Sequence, residues 1–160
     1  MTVVALRRLS PVTPSVAFSL PMNTLRGLAL VGVMALMHPR ESLGAPTSPC
    51  GLVTGQVYVG TYVCAQGPTQ MRLTISDVDG ARTMAVGDFF HPPTNTRGSY
   101  RLRGFCLPRT RRLLFMPAGW IDQPPGYTMV GMSGTLGPGN ANYFGRMSSS
   151  ACGGFSLARQ

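Results

Sequence analysis

Thr69-Gln70-Met71-Arg72-Leu73-Thr74-Ile75 decides how the chain is read. Met71, Leu73 and Ile75 point one way; Gln70, Arg72 and Thr74 point the other. Successive side chains of an extended strand leave opposite faces, so this alternation is that of a strand with one face buried and one in water. Asp77-Val78-Asp79-Gly80 follows, and Asp-Gly suits the positive φ of a hairpin. The chain is therefore expected to turn at 77–80 and to return as a strand over 83–90, stopped by His91-Pro92-Pro93.

The same pattern extends in both directions. Residues 57–64 form the first strand. Residues 99–106 alternate again, with Tyr100, Leu102, Gly104 and Cys106 on one face and Arg101, Arg103 and Phe105 on the other. Leu107-Pro108-Arg109-Thr110 turns the chain, and 112–116 returns. Trp120-Ile121 opens a loop through Asp122-Gln123-Pro124-Pro125-Gly126. A strand over 127–136, a turn at Gly137-Pro138-Gly139-Asn140 and strands over 143–147 and 154–157 complete the set. About eight short strands, with turn signals every 8–12 residues or so and no helical period, imply an all-β fold, a small antiparallel barrel or a sandwich. Closure into a barrel removes exposed edges, and glycines at 60, 87, 104, 131 and 145 suit strands that bend sharply.

Upstream the chain changes character. Residues 27–37 (Gly-Leu-Ala-Leu-Val-Gly-Val-Met-Ala-Leu-Met) carry no charge, follow Arg26 and precede Ser42-Leu43-Gly44. A basic lead, a short apolar run and small residues before a cleavage point make a secretory signal. The run is too short for a transmembrane helix, which needs about 20 apolar residues. Met22 is an alternative start to Met1 and gives a signal of ordinary length. The expected organisation is an N-terminal extension and signal peptide over 1–44, a Pro-rich lead over 45–55 and one β-domain over 56–160. From residue 45 onward ten arginines against four aspartates leave a net charge of +6, with no lysine and no glutamate. Such a surface favours anionic partners, and for an exported protein those of the envelope come first.

Export places Cys50, Cys64, Cys106 and Cys152 where disulfides persist. Four cysteines allow three pairings. First and last strands of a closed sheet are often neighbours, which favours Cys64 with Cys152 and leaves Cys50 for Cys106. The spacing lacks the close Cys/His pairs that zinc sites use, so no metal or other cofactor is expected.

Two features stand out as candidate sites. Arg101, Arg103, Arg109, Arg111 and Arg112 sit on one hairpin, where guanidinium groups meet phosphates or carboxylates well. Aromatics do not clearly interleave with them, so no specific nucleic-acid binding is expected. Trp120 and Tyr127 flank a rigid Pro-Pro-Gly turn and either present an aromatic patch or plug a barrel end. His91, beside two prolines, reads as a solvated loop residue. Asp77 and Asp79 read as turn formers, and no Gly-x-Ser-x-Gly elbow frames a nucleophile.

The runs Gly60-Thr61-Tyr62-Val63-Cys64-Ala65-Gln66-Gly67-Pro68-Thr69, Trp120 to Tyr127 and Cys152-Gly153-Gly154-Phe155-Ser156-Leu157 together resemble a small exported bacterial β-domain that also accompanies other modules. That resemblance implies a Cys64–Cys152 link and an accessory role, with no chemistry to carry over. Tyr62-Val63-Cys64 and Gly98-Ser99-Tyr100 are similar to stretches of the periplasmic inhibitors of c-type lysozyme, small disulfide-tied β-barrels. The expected function is an exported, non-catalytic binding module, periplasmic or secreted and without a transmembrane anchor after processing. It would recognise an anionic envelope component or a partner protein. An inhibitor of a cell-wall hydrolase such as lysozyme is the alternative from another class, and a small hydrolase using His91 is a third.

Overall fold

A computed structural model describes residues 47–160. The expected signal at 1–44, its apolar run at 27–37 and both possible start sites lie outside the described residues. Eight strands run in chain order: β1 (Val57–Cys64), β2 (Gly67–Asp79), β3 (Arg82–His91), β4 (Thr96–Leu107), β5 (Arg112–Asp122), β6 (Met132–Leu136), β7 (Asn142–Met147) and β8 (Cys152–Arg159). Each pairs antiparallel with the next, and β8 pairs back onto β1, so the sheet closes into a barrel. The choice between barrel and sandwich thus falls to the barrel, in which every strand is paired on both sides, β5 beyond Phe115 on its β4 side alone.

The alternation read from the sequence is the alternation of inside and outside. Tyr58, Leu73, Ile75, Leu102, Leu113, Phe115, Met132 and Leu157 fill the interior and are all but fully buried. Arg72, Arg101 and Arg103 face outward. This sense, apolar in and polar out, is the reverse of a transmembrane barrel. No helix among the described residues is long and apolar enough to cross a membrane. Gly104 shows why the interior can close. A Cβ there would stand 2.1 Å from the Leu114 carbonyl oxygen and 2.6 Å from Phe115 Cδ1, so the missing side chain is the space the Phe115 ring occupies.

Several boundaries differ from the sequence reading, each because of a local irregularity. The 77–80 turn is instead the end of β2. A bulge at Ser76 lets Asp77 pair with Met84 and Asp79 with Arg82, and the hairpin is made by Gly80 (φ +54°) and Ala81 alone. β5 does not stop at 116. Bulges at Ala118 and Ile121, with Gly119 at φ +137°, carry it on to Asp122, and Trp120 pairs with Tyr100 instead of opening a loop. The loop is 123–131, and β6 begins only at Met132. His91 is the last residue of β3 and is buried, not solvated: its Nδ1 lies 3.4 Å from Thr69 Oγ1, also buried.

The lead is part of the fold. Leu52 is fully buried at one barrel end, and Ser48 Oγ accepts from the amides of Cys50 and Leu52 (3.2 and 2.9 Å). Cys50 joins Cys106 at the end of β4, and Cys64 joins Cys152 across the β1–β8 seam, the pairings expected. Asn140 donates to the carbonyls of Cys50 (3.0 Å) and Gly51 (2.9 Å), fastening the plug. Two disulfides in so small a domain fit a protein that works outside the reducing cytoplasm.

Candidate functional site

The arginines expected on one hairpin separate into two groups. Arg111 sits in the β4–β5 turn with φ +52°, and its guanidinium is spent inside the fold. It donates to the carbonyls of Leu136 (3.1 Å) and Gly137 (2.8 Å) and to Asn140 Oδ1. It braces the plugged end and leaves the candidate strip. Arg101, Arg103, Arg109 and Arg112 remain exposed, Arg112 with one bond to Ser133 Oγ (3.0 Å).

Register adds residues that the linear sequence could not. Arg103 lies between Met84 of β3 and Met116 of β5; Phe105 lies between Arg82 and Leu114. Met84, Phe105, Leu107 and Met116 are 36%, 39%, 44% and 49% exposed, four of the seven large apolar side chains left in water among the described residues. All four lie on the outer face of β3–β4–β5, among Arg82, Arg101, Arg103 and Arg112, with Arg109 in the adjoining turn. Apolar side chains scattered singly mean little, but a contiguous group amid like charges marks a contact surface. The nearest acids in register, Asp77 opposite Met84 and Asp79 opposite Arg82, belong to β2 and border the face on one side.

A second outer groove, of about 610 Å³, runs over Gln70, Arg72, Asp88, Phe90 and Asp122. Here opposite charges are register neighbours, Arg72 across from Asp88, and Arg97 lies over the Phe90 ring at 4.3 Å. Desolvation raises the Asp88 carboxyl above its ordinary pKa, while the Arg72 guanidinium pulls it down. The charges of this groove largely answer one another; on the β3–β5 face only Arg82 has an acid, Asp79, as a register neighbour, and Arg101, Arg103 and Arg112 have none.

Trp120 and Tyr127 are brought together at the unplugged end of the barrel. Trp120 packs edge-on to Tyr100 at 5.5 Å, and Tyr127 stacks on Phe89 at 5.4 Å. Tyr62, Phe89, Tyr100 and Tyr127 border a cavity of about 240 Å³ beside the Cys64–Cys152 bridge. Burial pushes the Tyr62 phenol up to about 12 and raises that of Tyr100, so both hydroxyls stay protonated across the ordinary pH range. The sequence pointed to Trp120 and Tyr127 as candidates but read Tyr62, Phe89 and Tyr100 only as strand positions, Tyr62 also within the resembling runs.

His91, the one histidine among the described residues, has Thr69 as its side-chain partner, whereas Asp88 faces outward from the same strand. All four cysteines are engaged in disulfides, so no thiolate is offered as nucleophile or metal ligand. Among the described residues no three His, Cys, Asp or Glu side chains gather as a metal-binding group.

The fold and its surface define a closed eight-stranded antiparallel β-barrel, tied by two disulfides, with a basic, partly apolar outer face and an aromatic cavity at one end. Comparison with family models and with curated proteins finds no match for this chain.

Proposed function

We propose that the protein is an exported, non-catalytic binding module, periplasmic or secreted, whose β3–β5 face docks onto an anionic lipid surface of the cell envelope. The observation that carries this reading is the interleaving of Arg82, Arg101, Arg103 and Arg112 with exposed Met84, Phe105, Leu107 and Met116 on one barrel face. Guanidinium groups bind phosphate oxygens in bidentate fashion, and neighbouring apolar side chains enter the headgroup boundary. The face is the convex outside of a barrel, and a fluid headgroup layer adapts to a convex surface. These four arginines and Arg109 of the adjoining turn, at about 1 kcal/mol each near an anionic leaflet, together with apolar contact, are enough for reversible attachment.

The experiment is to incubate the oxidised protein with isolated envelope lipid, cell wall and envelope protein extract at low and at high salt. Retention on lipid that disappears at high salt, and in Arg101→Ala/Arg103→Ala, is the expected result, because charges in water are screened within about 3 Å at 1 M salt. Retention on one envelope protein with fixed stoichiometry would overturn the lipid reading in favour of an inhibitor. Turnover of a hydrolase substrate lost in His91→Ala would overturn the non-catalytic reading.

A further inference from the structure

We propose that the open end of the barrel binds a neutral pyranose ring. The two barrel ends are built differently. One is stopped by Leu52 and fastened by Cys50–Cys106, Asn140 and Arg111. The other carries the 240 Å³ cavity. That volume is below the roughly 300–1,000 Å³ of sites for drug-sized molecules and suits a single ring.

The lining fixes the chemistry. None of the residues bordering the cavity is charged, although the described chain carries ten arginines and four aspartates. An ionic ligand would find no counter-charge there. The walls are aromatic, with buried Tyr62, Phe89 and Tyr100 and the more exposed Tyr127, and the negative π surface of such a ring attracts the weakly positive C–H face of a sugar. The rim is polar: Gln66, Thr128 and Ser149 supply an amide and two hydroxyls for the ring's hydroxyl groups. The site is also stiff. The Cys64–Cys152 bridge holds one wall, and the turn after Pro124-Pro125, with Gly126 at φ +77°, holds Tyr127 on Phe89. A preformed cavity loses little freedom on binding. This inference is independent of the lipid-docking face, whose exposed side chains lie on the outside of β3–β5.

The protein carries its own reporter. Trp120 is the single tryptophan and packs on Tyr100 (5.5 Å) and Phe89 (6.3 Å), two residues of the cavity wall. Titration of the oxidised protein with N-acetylglucosamine, and separately with its β-1,4-linked oligomers, should shift Trp120 fluorescence saturably. Calorimetry should give the same affinity. Stronger binding of the monomer indicates a free sugar; stronger binding of the oligomers indicates a glycan chain end. Tyr127→Ala should weaken binding roughly tenfold, the equivalent of about 1.4 kcal/mol of lost aromatic contact. Thr128→Ala, at an exposed rim position whose hydroxyl has no hydrogen-bond partner among the described residues, should weaken it without changing the thermal midpoint. Arg101→Ala/Arg103→Ala should leave it unchanged. No saturable response to either sugar form at millimolar concentration would overturn the proposal. So would binding of glucuronic acid as tight as that of neutral sugar.

Discussion

Cys64 and Cys152 are direct register partners on β1 and β8, so their disulfide lies across the seam where the first and last strands close the barrel. The bridge spans a sequence separation of 88, and the other, Cys50–Cys106, spans 56. Chain-entropy arguments give each of these loops about 4 kcal/mol. The two variants should fail in different places. In Cys64→Ala/Cys152→Ala, hydrogen exchange should speed up first along the β1–β8 ladder. In Cys50→Ala/Cys106→Ala, it should speed up first in the amides around Leu52. Loss of protection spread evenly through both variants would contradict the division into seam and plug.

Asn140 unites three functions at the plugged end. It adopts φ +57°, donates to Cys50 and Gly51 and accepts from Arg111. Asn140→Ala removes all three bonds and places a Cβ-bearing residue without a local partner in the left-handed region, at a cost of about 2–3 kcal/mol. Asn140→Gly restores the backbone freedom but not the bonds and should recover only part of the loss. Chemical denaturation of the two variants checks the order.

The interior tyrosines set an alkaline limit. Tyr62 ionises near 12 in the fold against 10.0 when unfolded, and Tyr100 and Tyr143 are raised by burial as well. A folded pKa above the unfolded one means that the native state binds the extra proton. Stability is therefore fully present below pH 10 and falls as pH rises from 10 through the folded pKa values. Each such tyrosine contributes a slope of about 1.4 kcal/mol per pH unit. Denaturation midpoints should be flat from pH 7 to about 9.5 and then drop steeply. Tyr62→Phe should reduce that drop.

Gly104 tests the close packing of β4 on β5. Gly104→Ala forces a Cβ against the Leu114 carbonyl and the Phe115 ring and should destabilise by about 2–3 kcal/mol through overpacking. The change of Thr110, in the exposed β4–β5 turn, to alanine should stay within about 0.5 kcal/mol. Equal thermal midpoints for the two variants would contradict the close approach.

Much of this architecture is legible in the sequence because a barrel with a filled interior enforces strict period-two burial. Residues 69–75 and 99–106 show it without ambiguity, and neighbouring first and last strands follow from closure, which made Cys64–Cys152 readable. Bulges hid the rest. Ser76 moved Asp77 and Asp79 from a turn into β2, and Ala118 with Gly119 kept β5 running through Trp120. Pro92 and Pro93 made His91 look like a loop residue, although its partner Thr69 lies 22 positions away. Of the β3–β5 face, the sequence offered the β4 side chains, the turn and Arg112 at the start of β5. Met84 and Met116 joined them through cross-strand register, which no linear pattern encodes. Arg111 looked like its neighbours until Asn140, 29 residues on, claimed its guanidinium.

The measurement that bears most directly on lipid docking is the partition of oxidised protein onto phosphatidylglycerol vesicles, compared with phosphatidylcholine vesicles and with the Arg101→Ala/Arg103→Ala variant. Removal of two arginines at about 1 kcal/mol each should weaken partition roughly 30-fold on the anionic vesicles, with the folded state intact. Zwitterionic vesicles should retain almost none of either protein. Equal partition of the two proteins on phosphatidylglycerol, or equal binding to both lipids, would show that the arginines of the β3–β5 face are a solvated surface and that its function lies elsewhere.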